Sequence, residues 1–282
     1  MDPLENTASG RSSSIKNWRL GEMVNWRITA LFSILVFIFP FLSIAQSDLA
    51  TGIALFNSRA ENCMGMKADP ININKAIPIF ESLLNKKEEV EKAGYYYLAC
   101  LNFKGQFVAA TEKEKKQIYD LAISKGNELT KQFPRSPQIR FELITSIGLQ
   151  AEINGALRSA EEGVINKMLL HTNALVLTDS MYRCCAAWKV LAILNYKTPH
   201  IPVILDWPDK DKAKLLLQKA LKYYPADISN NFYYAEALLE NGEKVTSKIF
   251  FELVTRLPAR KEFYLEDEAQ KEKAKAILAK WE

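Results

Sequence analysis

The residues most able to do chemistry are few in this chain, and their spacing serves none of the common reactions. Histidine occurs only at His171 and His200. Neither has a cysteine or carboxylate at the spacing of a zinc site, nor a partner placed for acid–base catalysis, so both read as structural. Four cysteines, Cys63, Cys100, Cys184 and Cys185, stand among Ala, Leu and Tyr, none of them in a CxxC pair. Thiolate chemistry needs an exposed sulfur beside positive charge, whereas these settings predict buried free thiols. On a regular helix Cys184 and Cys185 would point about 100° apart and could not bridge without strain. The carboxylates Glu266, Asp267 and Glu268 fall where a helix would begin, and negative charge is favourable there. The sequence has no GxSxG elbow, no P-loop and no GxGxxG turn, the motifs that would announce acyl transfer, phosphate or dinucleotide chemistry. No catalytic residue, metal or cofactor is predicted.

Charge narrows the partners. The net value is +4 over 282 residues, and a nucleic-acid protein would normally cluster its basic residues on one face. The densest run, Lys113 to Lys116, mixes lysine with glutamate and reads as a solvated helix surface. Nucleic acid is not an expected partner.

Residues 28–44, ITALFSILVFIFPFLSI, form a continuous apolar stretch after Arg19 and Arg27 and before Gln46, Ser47 and Asp48. Small Ser43 and Ala45 and the helix breaker Pro40 fit an export leader cut after Ala45. The expected division is 1–45 for tail and leader and 46–282 for a helical domain, placed in the periplasm or envelope of a bacterium. At about 1.5 Å per residue the stretch nearly crosses a hydrocarbon layer of roughly 30 Å, so an uncleaved anchor is the alternative, and then the only expected membrane contact. Met23 opens a conventional leader of its own.

Beyond the leader the composition is that of helices, rich in Ala, Leu, Lys and Glu without strand-like alternation. A period is visible. Ala213, Leu217, Ala220, Leu221 and Pro225 are followed by Ala235, Gly242 and Phe251 in one frame. Small residues at Met64 (the weakest match), Ala99, Gly148, Ala192 and Ala235 mark the first helix of successive pairs, and their spacings of 35, 49, 44 and 43 leave room for insertions. Close approach of two helices requires a small side chain against a large one, and a tight turn favours glycine, as at Gly155 and Gly242. The expected pairs are 49–65 with 72–86, 91–104 with 111–133, 137–153 with 156–176, 181–196 with 209–223, and 228–241 with 244–257, capped by 265–281. Pro199, Pro202 and Pro208 set off a stiff apolar loop from Thr198 to Asp209.

This pattern resembles the tetratricopeptide-repeat (TPR) superfamily over the whole region after the leader, most specifically from Trp188 onward. The stretch YYAEALLENGEKVTSKIFFELVTRLPARKEFYLEDEAQKEKAKAIL is similar to the C-terminal repeat of regulator-of-microtubule-dynamics-like TPR proteins, and leader-bearing relatives resemble the T component of TRAP transporters. The resemblance implies an all-α TPR-like solenoid of about five helix-turn-helix repeats with a C-terminal capping helix. It also implies that the groove side of each first helix corresponds to Tyr96, Cys100 and Phe103, then Thr145, Leu149 and Glu152, then Lys189 and Ile193, then Phe232, Glu236 and Leu239. A largely apolar groove suits a partner protein or peptide, with a lipophilic small molecule as alternative. The expected function is non-catalytic binding in the cell envelope, or else a periplasmic ligand-binding accessory role like that of the T component.

Overall fold

The computed structural model describes residues 47–155, 163–198 and 208–281. The expected leader at 1–45, Ala160, His200 and most of the Pro-rich loop lie outside them. The described residues form eleven α-helices and one 3-10 turn, with no strand beyond a single bridge between Met64 and Lys67. In chain order these are α1 (Asp48–Asn57), α2 (Pro70–Leu83), α3 (Val90–Phe107), α4 (Glu112–Gln132), α5 (Pro137–Asn154), α6 (Val164–Asp179), α7 (Tyr182–Lys197), α8 (Lys210–Tyr223), α9 (Ile228–Glu240), α10 (Lys244–Arg256), the turn Lys261–Phe263 and α11 (Tyr264–Leu278).

Local chemistry sets these boundaries. Ser47, Asp69, Thr111, Asp209 and Asp227 are N-caps whose side chains accept a hydrogen bond from a first-turn N–H, satisfying a donor that the helix cannot. Pro70 and Pro137 open α2 and α5, where a missing N–H costs nothing. Gly155 and Gly242 take φ of 80° and 79° in the turns that follow α5 and α9, a backbone region that glycine enters without penalty.

Consecutive helices pack as pairs, α1 with α2 through α9 with α10, and α11 closes the stack. The odd-numbered helices also touch in series from α1 to α11, making an inner layer, while each even-numbered helix lies outside against the odd helices before and after it. The chain is thus an all-α, TPR-like solenoid. Its seams follow the small-against-large rule. Ala192 and Ala235 are fully buried on inner helices, and Ala76, Ala122, Ala213 and Ser247 on outer ones, beside Phe80, Leu217 and Phe251. Gly105 is the tightest such point, since a β-carbon there would sit 2.6 Å from Cζ of the buried Tyr119. Gly105→Ala gains up to about 1 kcal/mol of helix propensity, but overpacking costs about 1 to 3 kcal/mol. A net loss in urea-unfolding stability is the expected result.

The first unit departs from expectation. α1 ends at Asn57 rather than near residue 65, and Met64 stands in the following turn, 83% exposed. The close approach is made instead by Gly52, where a β-carbon would lie 2.8 Å from the Phe80 ring. The cysteines are all free, with Cys100 and Cys185 buried. Cys184 and Cys185 are not in regular helix, because Arg183, Cys184 and Cys185 all have positive φ, of 44°, 56° and 65°. Three successive non-glycine residues in that region store strain of order 1 kcal/mol or more each. Among the described residues no helix is long and apolar enough to cross a membrane, and 28–44 is not among them.

Candidate functional site

The inner face is organised by charge and by the chain's own C-terminal segment. Arg59, in the turn after α1, is 3% exposed. Its guanidinium donates to the Phe56 carbonyl at 3.2 Å, to the Glu262 carbonyl, and to the Glu266 carboxylate at 2.9 Å, and it lies over the Phe56 and Phe103 rings. These bonds join the two ends of the solenoid across more than two hundred residues. Leu265 is fully buried in the same cluster as Phe56, Tyr97 and Phe103, so the first residues of α11 are core to the opening units as well as a cap on the last.

Phe263 sits among three guanidinium groups, 4.3 Å from Arg183, 4.8 Å from Arg260 and 6.0 Å from Arg59, a cation–π setting. Each arginine has a carboxylate. Arg183 reaches Glu142 at 3.0 Å, and the left-handed turn at 183–185 carries the residue that does so. Arg260 makes a two-pronged contact with Asp267, at 2.9 and 2.6 Å, and also reaches Asp227 at 2.9 Å. Asp227 is paired in addition with the buried Lys189 at 3.4 Å. Asn102 donates to Glu142 at 2.9 Å and accepts from the Ser146 hydroxyl at 2.7 Å. Most buried polar groups here find partners, as a low-dielectric interior requires, although Arg59 Nε and one Glu266 carboxylate oxygen are buried without a hydrogen bond.

Burial pushes the Glu142 carboxyl up, against the opposing pull of Arg183 and the Asn102 amide. Burial also raises the Tyr95 hydroxyl to about 12, with Glu142 adding to it. Cys100 and Cys184 thiols are both raised, chiefly by burial, and Asp227 adds to the second. Burial lowers His171, which lies 3.3 Å from Arg140, and that guanidinium adds to the effect. These shifts keep thiols and phenols protonated, which suits positioning and recognition more than proton transfer. Among the described residues no group of three or more His, Cys, Asp or Glu side chains is placed to hold a metal ion. Glu266 and Asp267 serve Arg59 and Arg260.

The eleven sequence-derived groove positions scatter. Tyr96 stacks on Phe80 at 5.2 Å and meets Phe56 edge-on at 5.4 Å, inside the seam of the first two units. Cys100 and Phe103 are buried beside it, and Phe232 is buried edge-on against Phe251. Ile193 packs with Ala192 and Leu217, and Leu239 with Ala235 and Phe251. Lys189 is consumed by Asp227, and Thr145 donates to the Phe141 carbonyl at 3.0 Å. Leu149 is half-buried.

Glu152 and Glu236 both lie within electrostatic range of Tyr233. Both carboxylates act on the half-buried Tyr233 hydroxyl, which burial raises first and they raise further, and the Gln270 amide also meets it. Glu236 accepts from Tyr196 at 2.7 Å and pairs with Lys197 at 3.2 Å. Glu152, Tyr233, Glu236 and Gln270 belong to α5, α9 and α11. Sequence reasoning missed Tyr95, Tyr233, Arg59, Glu142, Arg183, Arg260 and Phe263. The signal for the tyrosines was the aromatic triplets at 95–97 and 232–234, in which one step of register turns a side chain by about 100°.

No protein family model matches the sequence, and no curated protein matches it. Among solved structures, the crystal structure of yeast Tom70 is similar over 82% of this chain and 64% of that one, at 14% identity and a TM-score of 0.31. The chain therefore spans less than two thirds of the structure it matches.

Proposed function

We propose that this chain is a non-catalytic binding protein of the cell envelope that takes a partner protein or peptide on its inner face. One observation carries the reading: a segment of the chain itself already lies there, with Phe263 under three guanidinium groups, Leu265 in the core and Glu266 on Arg59. An inner layer that holds an aromatic, an aliphatic and a carboxylate side chain in succession has the chemistry to hold a similar peptide beside them. Tyr233, half-buried on α9, packs against the cores on either side of it and is met by the Gln270 amide of α11.

The test is capture from envelope extract by the full chain, compared with a Tyr233→Ala, Glu152→Ala variant. An aromatic anchor typically contributes about 2 kcal/mol or more, so at least a tenfold loss of the captured partner is expected at unchanged helicity. Equal capture by parent and variant would move recognition off this part of the inner face.

A further inference from the structure

The outer layer carries a pattern that the inner face does not use. Leu170 on α6, Leu215 on α8 and Ile249 on α10 each stand two residues before one buried position (Thr172, Leu217, Phe251) and five before another (Leu175, Ala220, Val254). They therefore hold the same place on three successive outer helices. All are exposed, at 67%, 64% and 60%, and Leu177 and Val245 beside them are more so. The charge on those helices is one-sided, with nine lysines and arginines against three carboxylates, whereas the whole chain nets only +4. Exposed Lys212, Lys222 and Lys248 have no carboxylate partner among the described residues.

We propose that this face docks on the surface of an anionic phospholipid bilayer. Aliphatic side chains on separate helices, with lysines between them, match the interfacial zone of a membrane, where leucines enter the headgroup boundary and lysine stems lie along it with their charges outward. Each lysine near an anionic surface adds to the attraction. A second copy of the chain would bring the same excess of positive charge against itself, which opposes self-association through this face. The core of a protein–protein interface is depleted of charge, lysine included, whereas the exposed apolar row here is interspersed with exposed lysines. The contact is additional to any made by 28–44, and it does not depend on the inner-face reading.

The full chain is mixed with vesicles of phosphatidylcholine alone, or with about one third phosphatidylglycerol, and the bound fraction is measured by flotation. Arg19 and Arg27 before 28–44 can also favour anionic lipid, so the contribution of the basic face is read as the change in the ratio on charge reversal. The parent is expected to favour anionic vesicles by at least tenfold, less so at high salt. Lys212→Glu with Lys222→Glu and Lys248→Glu should bring the ratio most of the way toward one. Leu215→Ser with Ile249→Ser should weaken binding to anionic vesicles several-fold while leaving helicity intact. Equal partition of the parent, or a preference that charge reversal leaves unchanged, would overturn the proposal. So would self-association or capture of an acidic protein that is lost in the same variants without any vesicle preference.

Discussion

Asp227→Ala should be among the most destabilising single changes in this protein, costing about 3 to 5 kcal/mol in urea unfolding followed by far-UV circular dichroism. The side chain is almost wholly buried and does three things at once. One oxygen caps α9 by accepting from the Asn230 N–H at 2.8 Å and pairs with Lys189 at 3.4 Å, and the other accepts from Arg260 at 2.9 Å. Loss of the cap alone is worth about 1 kcal/mol. Arg260 keeps Asp267, so it is not stranded. Lys189 is stranded, with only the Arg183 carbonyl at 3.4 Å left to its ammonium, and a buried charge without its counter-ion is the larger cost.

The pH dependence of that loss has a definite sign. Burial already lowers Lys189 below the usual lysine value of 10.5 even with Asp227 in place, and removing the carboxylate lowers it further. A lysine whose folded value lies below its unfolded one destabilises the fold wherever it must stay charged, and the penalty is relieved as pH rises through the folded value toward the unfolded one. The deficit of Asp227→Ala relative to the parent should therefore shrink between neutral pH and mildly alkaline pH. Asp227→Asn keeps an acceptor for the cap, so its shortfall at neutral pH reports the charge without the cap. A deficit independent of pH would show that Lys189 is not the source of the cost.

What could be read from the sequence divides along the range of the interactions. The pairs from α3 onward were legible because their determinants are local: a small residue such as Ala235 against a large one such as Phe251, a glycine at φ 79° after α9, an aspartate at the start of α8. Ends of α8 to α11 fall within a few residues of the positions that the repeat frame gives. The groove assignment carried one helix register across the repeats without regard to what else fills the inner face, and several of its side chains, Tyr96, Phe103 and Phe232 among them, lie in the packing between helices. Arg59 to Glu266 and Leu265 to the opening core are contacts between the two ends of the chain, and nothing in a window of twenty residues encodes them. The turn at Arg183 to Cys185 was also invisible, since no glycine or asparagine marks it. Its side chain contacts, not its backbone preference, hold it in place.

Arg183→Ala tests that last statement, and it is expected to cost about 3 kcal/mol or more near neutral pH. The guanidinium is the countercharge of Glu142, which is only 3% exposed, and it also lies 5.0 Å from the Phe141 ring centre and 4.3 Å from that of Phe263. Lysine would restore charge but not the flat stacking surface, so Arg183→Lys should recover only part of the loss. Burial holds Glu142 above its ordinary 4.5 while Arg183 and Asn102 pull it down, so the variant's Glu142 moves higher still. A carboxyl whose folded value is raised keeps its full stability below the unfolded value and loses it as pH rises toward the folded one. Stability curves of parent and variant should therefore converge on acidification from neutral pH toward the ordinary carboxyl range, where Glu142 can take up a proton in both states. The variant should also loosen the far end of the chain, because Phe263 loses its nearest cation. Amide exchange in residues 260–270 is expected to quicken more than exchange in α3 or α4. Uniform quickening along the chain would mean that Arg183 supports the fold in general rather than the docking of its C-terminal segment.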